Sequence, residues 1–361
     1  MSGRYSELEE IMKFIHIADV HLGAEPDSGY PWAARRGREI WDSFRSVIRR
    51  ARVEQTDLLL IAGDLFHHQP LKRELKEVDS LMAGLARTKV VMIAGNHDYI
   101  RNDSYYRNFE WSPNVTFLRH EEMESVYFPE LHTEVYGFSY HSQEIRENRY
   151  DEIKPQKTDR INILLAHGGD DNHIPIRKDL PSVSGFDYIA LGHIHKPGML
   201  ASGRMAYAGA LEPIDMNDTG PHGYISGEIT NGQPQITFVR AASREYIHKE
   251  CRITPEDTFE TVRAGIEHYI DENSRNNIYK IIIRGQRDPD IFLDPEELQS
   301  LGNIIRVEDE TEPNLDYEKL EREHGDDLVG RYIRRFRKLP DSQVNRDALY
   351  YGIQALLCGQ R

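Results

Sequence analysis

The sequence predicts an α/β domain with a largely buried, mostly parallel sheet, followed by a second and smaller α/β unit. Three observations carry this reading. From residue 13 to about 240, short apolar runs alternate with turns and amphipathic stretches, the pattern of buried strands joined by helices. Five of those runs end on Asp, Asn or His where an ordinary buried strand would avoid the polar burden. Around residues 241–250 the pattern breaks, and a shorter strand and helix alternation follows.

The first strand is expected at 13–18, directly after Met12. Met12 then reads as the natural initiator, with residues 1–12 an N-terminal extension that has no part in the fold. A helix fits 36–54, with Ile40, Phe44, Val47 and Ile48 on one face. Strand 57–62, helix 70–86 and strand 89–94 come next, then strands at 132–138, 161–166, 187–191, 204–208, 223–230 and 234–240. The later strands lack long helices between them, so that end of the domain should be antiparallel. "RITPEDTFETVRAGIEHYIDEN" opens a helix with Thr254 as its cap and Pro255 in its first turn. A strand in "IYKIIIRG", a short helix in "DPEELQSLG" and a strand in "NIIRVED" complete the small unit, and helices fit 315–338 and 344–357. The expected domains are therefore 13–242, 243–310 and, as an acidic linker with helices, 311–361.

With 361 residues and 39 % hydrophobic content, the chain can bury a sizeable core. No run approaches the roughly 18 apolar residues of a membrane span, and "MSGRYSELEEIM" has no signal-peptide pattern, so a cytoplasmic protein is expected. Cys251 and Cys358 are the only cysteines, which excludes a disulfide framework and a cysteine metal site. A metal here would be held by His, Asp, Asn or Glu, ligands that suit Mn²⁺, Fe²⁺ or Zn²⁺ alike. The net charge of −15 argues against a protein that coats nucleic acid. That charge is uneven: residues 308–327 hold ten acids against Lys319 and Arg322. The basic clusters "RRGREIWDSFRSVIRRAR" (35–52) and "RYIRRFRK" (331–338) read first as solvated helix faces.

In open α/β sheets the carboxyl ends of the strands border the ligand crevice. The five endings are "ADVHLG" with Asp19 and His21, "AGDLFHH" with Asp64, "GNHDY" with Asn96, His97 and Asp98, "LAHGGD" with His167, and "GHIH" with His193 and His195. Small residues beside them (Ala18, Gly63, Gly95, Ala166, Gly192) allow close backbone approach. Asp19, His21, Asp64, Asn96, His167, His193 and His195 exceed what one divalent ion requires. Two ions about 3.5 to 4 Å apart would use them all if Asp64 bridges, a geometry that serves phosphoester hydrolysis by activating a shared water and screening phosphate oxygens. His97 is the candidate general acid, with Asp98 expected to hold its other ring nitrogen. His16 should pack beside the site; His68, His120, His132, His141, His173, His222, His248, His268 and His324 should be structural or exposed. The tryptophan segments "YPWAARRGREIW" and "NFEWSPN" should serve packing rather than base stacking.

Taken together, D-x-H, G-D, G-N-H-D, a lone H and G-H-x-H resemble the calcineurin-like metallophosphoesterase superfamily. The resemblance implies a four-layer α-β-β-α sandwich, with Asp19, His21, Asp64 and His195 on one ion and Asp64, Asn96, His167 and His193 on the other. "HIADVHLG", "AGDLFHHQP", "GNHDY", "YIALGHIHKP" and "YAGALEP" are similar to DNA double-strand-break repair nucleases of the SbcD type, over residues 13–310. That similarity implies a DNA exonuclease or endonuclease with two divalent ions, Mn first and Fe or Zn as alternatives. It also implies that His67 positions the scissile phosphate, that the small unit is a cap touching DNA, and that the C-terminal helices dock an SMC-like ATPase. A homodimer is among the assemblies it allows. Two other functions stay open: a metallophosphodiesterase of small phosphodiesters, and a non-catalytic DNA-end-binding scaffold. The D-R-G triplet of the superfamily's protein phosphatases is missing from "GDLFHHQP", and a scaffold predicts a lost ligand or acid, whereas none is lost.

Overall fold

The computed structural model describes residues 11–180 and 184–358. The extension expected over 1–12 lies outside the described residues up to residue 10. Ile11 and Met12 belong to the first strand, paired with Thr230 and Ile229, so the strand starts earlier than expected.

The chain opens with β1 (Ile11–Ile17), α1 (Ala33–Val53), β2 (Leu58–Ala62), α2 (Lys72–Ala83), β3 (Lys89–Ile93) and β4 (Val115–Phe117). Next come β5 (Glu124–Phe128), β6 (Thr133–Gly137), β7 (Ile161–His167), β8 (Tyr188–Gly192), β9 (Gly198–Leu200), β10 (Met205–Tyr207), β11 (Gly223–Thr230) and β12 (Gln233–Arg240). Among the described residues these strands form two six-stranded sheets, ordered β12-β11-β1-β2-β3-β4 and β5-β6-β7-β8-β10-β9.

Alternation within the strands builds the layers. In β2, Leu58, Leu60 and Ala62 face the second sheet, where they meet Ile163, Leu165 and Ala190. Leu59 and Ile61 point the other way, into a core with Ile40, Phe44, Val47 and Ile48 of α1 and Leu75 and Val78 of α2. α1 has no side-chain bond at its N-terminus. Its hold comes from that buried face, at roughly 2 kcal/mol for each fully buried large apolar side chain. The outer face of the second sheet, with Leu164, Ile189 and Leu191, is covered by Tyr140, Ile145, Tyr150, Ile174 and Phe186 from the segments between strands.

β1, β2, β3 and β4 run parallel in register, as do β6, β7 and β8. Their carboxyl ends therefore share one edge of the sandwich. The expected antiparallel end holds for β11 and β12 but not for β10, which lies parallel to β8. The chain first makes the edge strand β9 and then turns back between β8 and β9, so a short connection replaces the missing helix. β4, β5 and β9 were not among the expected strands; all three lie at sheet edges, β4 and β9 are three residues long, and four of the five residues of β5 are only partly buried or exposed.

The two basic clusters are not solvated faces throughout. Arg36 is fully buried and meets Glu39 at 2.7 Å, Asp27 at 3.4 Å and the carbonyl of Pro213. Arg45 pairs with Asp42 and Glu77, and Arg50 with Glu54. Trp32 is buried and donates to Asp27, and Trp111 packs among Tyr106, Phe109 and Phe117.

Two compact units divide the chain: one runs to Ile247 and takes in Arg275–Tyr279, the other holds His248–Ser274 and continues from Lys280. The second is built on β13 (Tyr246–Ile253), α3 (Phe259–Asn273), β14 (Ile278–Arg287), α4 (Pro295–Gln299) and β15 (Ile304–Pro313), with the sheet ordered β13-β14-β15. α3 starts later than expected. Thr258 is its cap, accepting from the Thr261 N–H, while Thr254 donates to Asp257 in the preceding turn. On the strands, Lys280 pairs with Glu308, Arg284 with Glu250 and Glu310, and Arg306 with Glu308.

The helix expected over 315–338 is two helices, α5 (Tyr317–His324) and α6 (Leu328–Phe336), followed by α7 (Gln343–Cys358). Gly325, at φ +43°, ends α5 with a bond from its N–H to the Glu321 carbonyl. Val329, Ile333 and Ile353 form the small core of this segment. Arg334 and Arg337 pair with Glu321, so this basic cluster is partly compensated within the unit. Among the described residues no helix is long and apolar enough to cross a membrane.

Candidate metal centre

The strand ends turn sharply as they leave the sheets. Asp19, His21, Asp64 and His193 have φ of 49°, 52°, 50° and 91°, a left-handed backbone that costs a non-glycine residue of order 1 to 3 kcal/mol. Main-chain bonds hold two of these turns together: the Asp19 N–H donates to the Gly63 carbonyl and the His21 N–H to the Asp64 carbonyl, both at 3.1 Å. Gly95 follows β3 at a point where a Cβ would overlap both the carboxylate and the backbone of Asp64. A side chain at that position would push the β2 and β3 ends apart.

All seven expected donors come together at this edge. His21 Nε2 lies 3.0 Å from His195 Nε2. His167 Nε2 lies 2.9 Å from Asn96 Oδ1 and 3.5 Å from Asp64 Oδ2, and His193 Nδ1 lies 3.0 Å from the same Asn96 oxygen. Asp19 accepts the His193 N–H, and Asp64 Oδ1 accepts the His97 N–H at 2.8 Å. The donor atoms of Asp19, His21 and His195, and those of Asp19, Asp64 and His167, fall within 4.8 Å of one another.

The electrostatics of this cluster suit cations. Burial pushes the Asp19 carboxyl up to about 6 and pulls His21 well below the usual imidazole range. Burial also opposes the charge on Asp64, but the surrounding His167, His21 and His97 outweigh it and hold that carboxyl low. The Nδ1 of His167 donates to the Ala62 carbonyl at 2.9 Å, so in the neutral ring Nε2 carries a lone pair. His167 Nε2 and His193 Nδ1 both face the Asn96 oxygen, an acceptor only, so a ring that brings a lone pair there is left without a hydrogen to share. A proton or a cation relieves that arrangement. Oxygen and imidazole donors in this number fit two divalent ions of the Mn, Fe or Zn kind.

One expected role is corrected. Asp98 does not hold the His97 ring: its buried carboxylate accepts the N–H groups of Gly95 (2.8 Å) and Phe66 (3.2 Å) and the Tyr106 hydroxyl (2.9 Å). The turn after β3 folds Asp98 back under the strand ends, where main-chain donors need an acceptor. His97 Nδ1 donates instead to the His67 carbonyl at 3.2 Å, and the two rings stack with centroids 5.1 Å apart.

Two carboxylates near the donors escaped the sequence reading. Asp170 lies 2.7 Å from His193 Nε2 and also meets His173, which was expected to be structural or exposed and packs against His193 with ring centroids 4.3 Å apart. Asp218 lies 3.0 Å from His195 Nδ1. The first stood in the "LAHGGD" run and could have been suspected; the second belongs to no motif. His16 is buried against the Tyr188 hydroxyl at 3.0 Å, as a packed residue.

The profile of the calcineurin-like phosphoesterases matches residues 12–197, which includes every expected donor and both rings of the His67 and His97 stack. The chain belongs to this family. This calcineurin-like phosphoesterase is 31 % identical over 305 residues to the "DNA double-strand break repair protein Mre11" of Methanocaldococcus jannaschii, covering 78 % of this chain and 76 % of that one. It is 33 % identical over 252 residues to the "Uncharacterized metallophosphoesterase YhaO" of Bacillus subtilis, covering 64 % of this chain and 60 % of the relative's length. A subunit of the SbcCD nuclease of Staphylococcus epidermidis is 25 % identical over 262 residues, covering 62 % of this chain and 67 % of the relative. Phosphoesterases of this family use a dinuclear metal site, and the clustered His and Asp side chains of this member are able to hold one.

Proposed function

We propose that this phosphoesterase is a two-metal DNA nuclease of the double-strand-break repair kind. The observation that carries the reading is the complete donor set with the His67 and His97 rings stacked beside it. The similarity to the repair protein and to the SbcCD nuclease supports DNA as the substrate. Asp19, His21, Asp64 and His195 would hold one ion, and Asp64, Asn96, His167 and His193 the other, with Mn²⁺ the first choice. Bound there, the ions supply charge neutralisation of a phosphodiester and a lowered pKa for water.

The chain's own residues then orient the substrate and move the proton. With His21 Nε2 engaged by an ion, its proton sits on Nδ1, 3.3 Å from His67 Nδ1. His67 therefore accepts at Nδ1 and carries its proton on Nε2, a donor for a phosphate oxygen. Burial, followed by the nearby His97, lowers the pKa of His67 and favours this neutral form. His97, oriented by the His67 carbonyl, presents Nε2 to the leaving oxygen as general acid. An SMC-like ATPase docking on the helices after residue 311, a homodimer and a cytoplasmic location complete the proposal.

The test is Mn²⁺-dependent cleavage of end-labelled single-stranded and double-stranded DNA, beside a small chromogenic phosphodiester, for wild type and His97→Ser. DNA cleavage that the substitution abolishes is expected. Hydrolysis of the small ester alone would move the function to small phosphodiesters, and metal uptake with no hydrolysis would leave a DNA-end-binding scaffold.

A further inference from the structure

Asp170 and Asp218 belong to neither expected ion, yet each is built into its loop with care. Asp170 Oδ1 accepts the N–H groups of Asn172 and His173, both at 2.8 Å, while Oδ2 faces His193 Nε2. Asp218 Oδ2 accepts the N–H groups of Ile214 (3.0 Å) and Asp215 (3.1 Å) and faces His195 Nδ1. Main-chain donors pin both carboxylates, so the rings must adapt to them. An ionised carboxylate has no hydrogen, and the ring nitrogen facing it must therefore carry one.

The consequence differs for the two histidines. His193 is protonated on Nε2 and turns the lone pair of Nδ1 toward Asn96 Oδ1, 3.0 Å away. In its neutral form His195 keeps its proton on Nδ1, facing Asp218, and leaves the lone pair on Nε2, which lies 3.0 Å from His21 Nε2. Nδ1 lies closer to the backbone than Nε2. The short reach of one ring and the long reach of the other let two residues of a single motif serve two places.

We propose that Asp170 and Asp218 are positioning residues that lock His193 and His195 in opposite tautomers, so that the two rings of "GHIH" offer opposite nitrogens to the metal centre. The inference rests on the two-metal reading. Without its anchor, each ring divides its population between tautomers and can present an N–H where a lone pair is needed. Losing such a partner weakens metal binding by about 10- to 100-fold.

The experiment measures Mn²⁺ uptake by electron paramagnetic resonance for the full chain, its Asp170→Ala and Asp218→Ala variants, and the conservative Asp170→Asn and Asp218→Asn. Each alanine variant should weaken one ion of the two by about 10- to 100-fold, and asparagine, which keeps an acceptor oxygen, should recover most of the loss. Alanine variants that bind both ions like wild type overturn the inference. In Zn²⁺-loaded wild type, ¹⁵N spectra of the imidazoles should show the proton on Nε2 of His193 and on Nδ1 of His195, a readout independent of how the variants fold. The same protonated nitrogen on both rings also overturns it. A wild-type chain that takes up no ion overturns the metal-centre reading itself, and this inference with it.

Discussion

On the floor of the strand-end cluster, Asp19, His21 and Asp64 are buried, sit in left-handed backbone and are tied by main-chain bonds between the β1 and β2 ends. On its rim, His67, His97 and His195 are partly exposed, and each takes its orientation from a side chain or a single carbonyl. The difference separates two kinds of damage. A change in the floor moves backbone that carries several donors at once, whereas a change on the rim alters chemistry and leaves the fold in place.

The largest effect on stability is expected from Gly95→Ala. The added methyl meets the backbone and carboxylate of Asp64 and has nowhere to go, so thermal unfolding in EDTA should show a loss of about 3 kcal/mol, together with lost Mn²⁺ uptake. Unchanged stability would show that the floor yields more easily than its geometry implies.

Asp98→Asn comes next. One of the three donors aimed at that carboxylate would face an amide N–H, for a cost of about 2 kcal/mol in chemical denaturation. Because Asp98 braces the floor rather than the His97 ring, the substitution should leave the pH profile of hydrolysis in place. A displaced profile would restore Asp98 as a partner of His97.

The pH dependence of the metal-free protein sharpens the contrast further. Burial disfavours the charged forms of His167 and His195, but Asp64 outweighs it for the first and Asp218 for the second, and both rings are raised to about 9. A raised folded-state pKa stabilises fully below the unfolded value near 6.5 and is lost as pH rises through 9. Stability in EDTA should therefore fall between pH 6.5 and 9. Over the same window Mn²⁺ affinity should tighten, since binding displaces those protons. Stability that rises toward pH 9 would contradict the assigned charges.

The smallest effect on stability belongs to His67→Ala. Unfolding should change by no more than about 0.5 kcal/mol, as for other partly exposed positions, while hydrolysis falls roughly 100-fold through loss of one phosphate donor. Equal losses in both measurements would place His67 on the floor.

How the site was legible follows from these same residues. Parallel strands deliver their carboxyl ends to one edge, so continuous apolar runs that end on Asp19, Asp64, Asn96, His167 and His193 pointed, in the sequence alone, to one shared crevice. The two-layered strands and the α1 face were equally readable, because side-chain alternation and helical spacing are local properties. Tertiary structure alone decided which partner each polar group takes. Asp98 turned to main-chain donors, Arg36 met the buried Glu212 and the Pro213 carbonyl from far along the chain, β10 inserted beside β8, and Asp218 reached His195 from a loop with no motif of its own. Hydrogen bonds and ion pairs act over a few ångströms, and the distances between groups far apart in the chain exist only once the sheets have packed.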